Sequence, residues 1–200
     1  MKTTLLLTLT LLGSMLGSMA FADVYKIDTA TSKIEWKAGK KIGSFHNGEI
    51  KLKGGEVSTD KKGQVSGGNF AVDMKTLSNQ DLKDADSNKK LVGHLSSDDF
   101  FKVDKFPEST FVIKSVTAKA GSKDEYVVKG DFTMIGNTHP IEFPAKISAD
   151  KSTLTGNAKL TIERLKWNLQ YGSGSIFKTL TADKIINDTF ELNLNLVAKK

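Results

Sequence analysis

Near the C-terminus, Phe190, Leu192, Leu194 and Leu196 alternate with Glu191, Asn193, Asn195 and Val197. Successive side chains of a strand point to opposite faces, so this period of two puts a greasy stripe on one side and a polar one on the other. The same pattern recurs at Ile34 and Trp36, at Ile50 and Leu52, and at Phe70, Val72 and Met74. It continues at Phe111 and Ile113, at Tyr126, Val128, Phe132 and Met134, at Ile141 and Phe143, and at Leu160 and Ile162. Between these runs lie Gly54-Gly55, Asp60-Lys61-Lys62-Gly63, Gly121-Ser122-Lys123-Asp124, Gly136-Asn137 and Ala149-Asp150-Lys151-Ser152. Gly, Asn and Asp accept the positive φ angles of tight turns, so each cluster reads as a hairpin link.

Eight or so regularly spaced strands joined by short turns predict an all-β, antiparallel sandwich or barrel. Strands of about ten residues span ~33 Å, long for a compact sandwich. An eight-stranded barrel suits that length and leaves an interior filled either by side chains or by a ligand. Two stretches interrupt the alternation. Residues 78–108 offer Asn88 as an N-cap for a short helix carrying Leu91, Val92 and Leu95, followed by Asp98-Asp99-Phe100-Phe101 and Phe106-Pro107. From Tyr171 to Ile186, Gly172-Ser173-Gly174-Ser175 precedes Ile176, Phe177 and Leu180. Long connections in a β domain usually cover or bind something, and these two read as a lid of helical and loop elements near one mouth.

The first 22 residues have a different character. Lys2 precedes an apolar run from Leu5 to Leu16, and Ala20-Phe21-Ala22 supplies small residues where a signal peptidase reads them. This is the layout of a secretory signal peptide cleaved after Ala22, leaving one domain over residues 23–200. Leu5 to Ala22 is almost long enough to span a bilayer, but Gly13, Ser14, Gly17 and Ser18 loosen it and the A-x-A ending favours cleavage. The segment holds one lysine and no acid, so its removal takes the formal charge from +6 to +5. The remaining lysines are scattered with few aromatics among them, which reads as a solvated basic surface and not a nucleic-acid site.

Chemistry-bearing patterns are scarce. With no cysteine, thiolate catalysis, disulfides and zinc–thiolate sites are excluded. His46, His94 and His139 form no local metal-ligand pair, so a metal would need them to converge in the fold. No nucleophile elbow, phosphate loop or dinucleotide fingerprint is present. Asp84/Asp86 and Asp98-Asp99 read as solvated or capping carboxylates, and Asn187-Asp188-Thr189 as a glycosylation acceptor only in a eukaryotic secretory pathway. Trp167, Leu169 and Tyr171 share a face if their segment is a strand. No cofactor is expected.

An ordered set of short motifs spans nearly the whole mature chain. It opens with Tyr25-Lys26-Ile27-Asp28, Ser32-Lys33-Ile34-Glu35-Trp36 and Gly43-x-x-His46-x-Gly48. Gly68-x-Phe70-x-Val72-Asp73-Met74, His94-Leu95-x-Ser97-Asp98-Asp99-Phe100-Phe101 and Phe106-Pro107-x-x-Thr110-Phe111 follow. Tyr126-x-Val128-x-Gly130-Asp131-Phe132-Thr133-Met134-x-Gly136-x-Thr138 and Arg164-x-x-Trp167-x-x-x-Tyr171-Gly172-Ser173-Gly174 complete it. The set resembles the YceI-like family of lipocalin-like polyisoprenoid-binding proteins. One departure is Thr31-Ser32, where many members carry His-Ser, so no role of that histidine transfers.

The resemblance implies an eight-stranded lipocalin-like barrel in the bacterial periplasm. Its pore would hold a long-chain amphiphile such as a polyisoprenoid, an isoprenoid quinone or a fatty-acid derivative, with transient membrane contact for exchange and no agreed enzymatic activity. The residues expected to line the pore are Trp36, Phe70, Val72, Met74, Phe111, Ile113, Phe132, Trp167 and Tyr171. Phe100, Phe101 and Phe177 are expected near the mouth, and His46 or His94 at a headgroup. The alternatives are a metal-assisted enzyme built on the three histidines and a ligand-free structural module with a filled barrel.

Overall fold

The computed structural model describes residues 23–150 and 152–200, and the leader read over residues 1–22 lies outside them. Nine antiparallel strands follow one another: β1 (Val24–Ile27), β2 (Lys33–Gly39), β3 (Phe45–Thr59), β4 (Val65–Asp73), β5 (Glu108–Ala118), β6 (Glu125–Met134), β7 (Asn137–Ala149), β8 (Thr153–Glu163) and β9 (Thr189–Lys199). One helix, α1 (Ala85–Ser96), lies between β4 and β5, and single 3₁₀ turns follow β4 and β8.

Each strand pairs with its sequence neighbour from β2 to β9, and β2 pairs with β9, so the sheet closes on itself. Both β1 and β2 lie between β3 and β9, β1 against Glu56–Ser58 and β2 against Phe45–Ile50. They are one broken stave, and the barrel therefore has eight staves, as the alternation predicts. At the break, the Asp28 carboxylate accepts the amides of Ala30 and Thr31. Ser32 replaces the missing ladder bonds, its hydroxyl donating to the Val197 carbonyl and accepting the Val197 amide at 2.9 Å.

Two turn assignments shift. Gly54-Gly55 is not a turn; the two residues lie inside the fifteen-residue β3, where the register against β4 slips between Leu52 and Gly54. Such a bulge bends a long strand round a barrel, and Gly55 accepts φ +155°, which a side chain would resist. The β6–β7 link turns on Ile135 and Gly136, both at positive φ, and Asn137 already belongs to β7. His139 is likewise in β7, paired with Phe132.

The ladder between β7 and β8 is shorter than its neighbours. It pairs Ala145–Ala149 with Leu154–Ala158, whereas β8 pairs with β9 along its full length and β6 with β7 from Glu125 to Met134. Pro140 and Pro144 fall in the stretch of β7 at or beyond the end of that ladder, and neither has an N–H to offer a neighbour.

The two barrel ends differ. At one end lie the short turns 60–64 and 119–124, with β7 ending at Ala149 and β8 beginning at Thr153. At the other lie the 40–44 loop, the long 74–107 segment with α1, the two-residue 135–136 turn, and residues 164–188. Asp84, not Asn88, caps α1, accepting the Ser87 amide at 2.9 Å. Asn88 sits one turn inside, where its amide donates to the carbonyls of Asn79 and Leu82 and ties the helix to the preceding loop.

Candidate functional site

Inside the closed sheet is an apolar cavity of about 220 Å³, against the ~10–15 Å³ that one water needs by the same measure. Its wall is the inward stripe of the alternation. Trp36 comes from β2, Phe70 and Val72 from β4, Phe111 and Ile113 from β5, and Phe132 from β6. Met74 comes from the 3₁₀ turn after β4, and Phe100 and Phe101 from the segment after α1. The sequence reading passed over the aliphatic remainder, notably Leu192, Leu194 and Leu196 of β9, although the same alternation marks them.

A core position that packs solid is shut off from solvent, yet Phe70, Phe111, Phe132, Leu192 and Leu194 are only half-buried despite pointing inward. Their uncovered surface faces the cavity. Small residues open the space. Gly156 of β8 borders the cavity with nothing within 4 Å of where a Cβ would stand, and Ala158 follows on the same face. Gly130 of β6 makes room for the Phe111 ring, whose Cζ would lie 2.4 Å from a Cβ there.

Tyr25, Val57, Leu154 and Ala198 pack together and stop the short-turn end. The helix end is covered by Leu95, Phe100 and Phe101 from one segment and Leu169 and Ile186 from the other. The two segments meet in an aromatic cluster: His94 stands edge-on to Phe100 and to Tyr171, with centroids 4.9 and 4.8 Å apart.

Trp167, Tyr171 and Phe177 stand outside the cavity wall. Arg164–Trp167 is a 3₁₀ turn, so the two-residue period that would have aligned Trp167, Leu169 and Tyr171 does not apply. Trp167, 1% exposed, packs against Phe132 and His139, and its indole N–H donates to the Phe132 carbonyl at 3.1 Å. Tyr171 presents its outer side to solvent, and Phe177 is exposed on the far side of the lid.

The wall has few polar members. Arg164, 3% exposed, borders the cavity and spends its guanidinium on the carbonyls of Asn187, Leu169 and Ile186. Burial pushes the guanidinium below its ordinary value, and the Asp188 carboxylate 3.6 Å away works against that. For Asp188, burial raises the carboxyl, but the Ser173 and Ser175 hydroxyls and Arg164 prevail and hold it low. The cluster clamps the ends of the 164–188 segment together, a role the sequence reading did not give Arg164.

The histidines have separate partners. His46 Nδ1 lies 2.8 Å from the Asp81 carboxylate, His94 Nε2 lies 3.1 Å from Asp99, and His139 lies under Trp167. Among the described residues, no group of three or more His, Cys, Asp or Glu is placed to hold a metal ion. Partial burial works against the Asp81 charge, but the Asn47 amide, His46 and the Asn79 amide hold its carboxyl down at about 2. His46 and Asp81 thus fasten the 78–82 loop to β3. Gly48 permits that approach, since a Cβ there would lie 1.8 Å from the Ser78 carbonyl oxygen.

Residues 25–198 match the model of the YceI-like domain. The chain belongs to the YceI-like family. A UPF0312 protein of Pseudomonas putida strain F1 is 31% identical over 175 residues, covering 84% of this chain and 86% of that one. A UPF0312 protein of Vibrio parahaemolyticus is 35% identical over 134 residues, 66% of this chain and 65% of its own. Among solved structures, Burkholderia cenocepacia BcnA superposes with a TM-score of 0.67 at 24% identity, over 86% of this chain and 99% of its own. A polyisoprenoid-binding domain from Saccharophagus degradans gives 0.64 at 15% identity, over 88% and 97%. At these identities the structural matches establish the YceI barrel and nothing finer.

Proposed function

We propose that this protein carries or stores one long-chain apolar amphiphile, a polyisoprenoid, isoprenoid quinone or fatty-acid derivative, inside its barrel. The observation that carries the reading is the unfilled apolar cavity running through a closed sheet. Membership of the YceI-like family supports it, and so does the likeness to a domain described as polyisoprenoid-binding. The protein works in the periplasm after export and cleavage behind Ala22, and it binds without catalysing. The candidate contacts are the nine aromatic and aliphatic wall residues from Trp36 to Phe132. His46 and His94 are engaged by Asp81 and Asp99 at the helix end and reach a headgroup only by exchanging those partners.

Energetics favour the tail over the head. Burial gains ~0.8 kcal/mol per CH₂ group, or about 16 kcal/mol gross for ~20 carbons. Lost freedom on binding takes back ~4–15 kcal/mol, and a single polar contact adds only ~1–3 kcal/mol. Selectivity therefore follows chain length. Organic extraction of protein purified from its own periplasm, followed by mass spectrometry, yields a stoichiometric long-chain lipid on this reading. Repeatedly clean extracts overturn it.

A further inference from the structure

Large hydrophobic side chains are exposed at seven described positions, and five of them, Ile42, Phe45, Tyr171, Ile176 and Phe177, lie at the helix end of the barrel. Ile42 and Phe45 are the most open, at 61% and 55%. The loops that carry them are one surface. Lys40 and Ile186 form an antiparallel bridge, the Lys41 amide donates to the Ile185 carbonyl at 2.8 Å, and the Asn187 amide donates to the Gly39 carbonyl at 2.9 Å. Gly172 and Gly174 let the 171–177 turn lie directly on this bridge, since a Cβ on either would come within 3 Å of Ile186 or Ile185. The inner side of the same bridge, Ile186 and Asn187, borders the cavity.

Positive charge predominates around the apolar tips. Residues 37–45 and 171–188 contain Lys37, Lys40, Lys41, Lys178 and Lys184 against two acids, Asp183 and Asp188, the second lying 3.6 Å from the Arg164 guanidinium. Lys37 Nζ lies 5.3 Å above the Phe45 ring, and all five lysines are exposed. Apolar side chains projecting from a collar of lysines suit a bilayer interface, the side chains entering the acyl boundary while the ammonium groups meet anionic headgroups. A protein partner would need a complementary apolar pocket at each tip, whereas a bilayer presents apolar depth everywhere beneath its charge.

We propose that this face docks the protein on an anionic lipid bilayer, with the cavity mouth turned towards the membrane. The proposal rests on the carrier reading above and names where that carrier loads and unloads. Sedimentation of the chain over residues 23–200 with vesicles of equal parts phosphatidylcholine and phosphatidylglycerol tests it. Wild type co-sediments, and loses that binding on pure phosphatidylcholine or at high salt. The I42D/I176D double variant binds the mixed vesicles about tenfold more weakly or worse, because both apolar tips now carry like charge to the lipid. K40E/K41E/K178E, which leaves the apolar tips intact, also loses binding, while V112D, an exposed site on the barrel side, binds as wild type. Circular dichroism melting confirms that each variant is folded. Wild-type binding by I42D/I176D, equal binding to neutral vesicles, or self-association through the patch in place of vesicle binding overturns the proposal. Lipid occupancy measured by extraction is independent of these readouts. An empty cavity with intact vesicle docking removes the carrier reading alone, and a filled cavity without docking removes this one alone.

Discussion

Gly156 is the residue whose substitution separates stability from binding most cleanly. It faces the cavity, its backbone is not in the left-handed region, and a Cβ there would meet nothing within 4 Å. Filling such a space stabilises a protein by about 0.5–2 kcal/mol. Gly156→Leu therefore raises the melting temperature of lipid-free protein while reducing the lipid recovered per mole. A parallel fall in both would show the site to be already packed. Asp81 gives the opposite kind of test. Its carboxylate satisfies the Asn47 amide and His46, so Asp81→Ala costs about 1–2 kcal/mol at neutral pH. Asp81 and Asp28 are both held down at about 2, Asp28 chiefly by Lys199. A depressed carboxyl stabilises above its unfolded value near 4 and loses that contribution as pH falls towards 2. Thermal melts between pH 5 and pH 2 should show wild type declining across this window and Asp81→Ala declining less. The wall residues were legible in the sequence because Phe70, Val72, Phe111, Ile113 and Phe132 obey the two-residue period. Gly156 was not, since a missing side chain leaves no mark in a hydrophobic pattern.

Among the elements, the strands follow from local pattern and the lid follows from tertiary contacts. The alternation located every long strand but not the four-residue β1, nor the break at 28–32, which is repaired by Ser32, a residue with no pattern of its own. Ser32→Ala removes both bonds to Val197 and should cost about 1–2 kcal/mol. Hydrogen exchange would show the effect concentrated at Val197, and an even rise across the barrel would contradict it. The 164–171 segment defeated the alternation for a different reason. Its side chains alternate as a strand's would, yet the chain coils into a 3₁₀ turn in which Arg164 donates to the Leu169 carbonyl and to those of Ile186 and Asn187. Helix α1 depends on its cap. Asp84→Ala should loosen the first turn, read as faster amide exchange in Ala85–Ser96 with little change in the strands.

At the scale of the molecule, one tube sets one rule for ligands. Affinity across a homologous series of straight-chain amphiphiles should rise by up to about fourfold per methylene, the equivalent of ~0.8 kcal/mol, and then level off once the chain outgrows the tube. Competition against a fluorescent fatty acid measures the series, and an affinity that tracks the headgroup at constant chain length would contradict tail-dominated binding. Closure also leaves no row of unpaired backbone groups to recruit another chain. Among the described residues the ladder is interrupted at the 28–32 break and where Pro140 and Pro144 leave β7 without full pairing to β8. No pairing joins these last two staves along that stretch, towards the helix end, and Trp167 packed on His139 closes the gap instead. The tube is thus zipped by a ladder along most of its wall and held by side-chain packing alone at this seam.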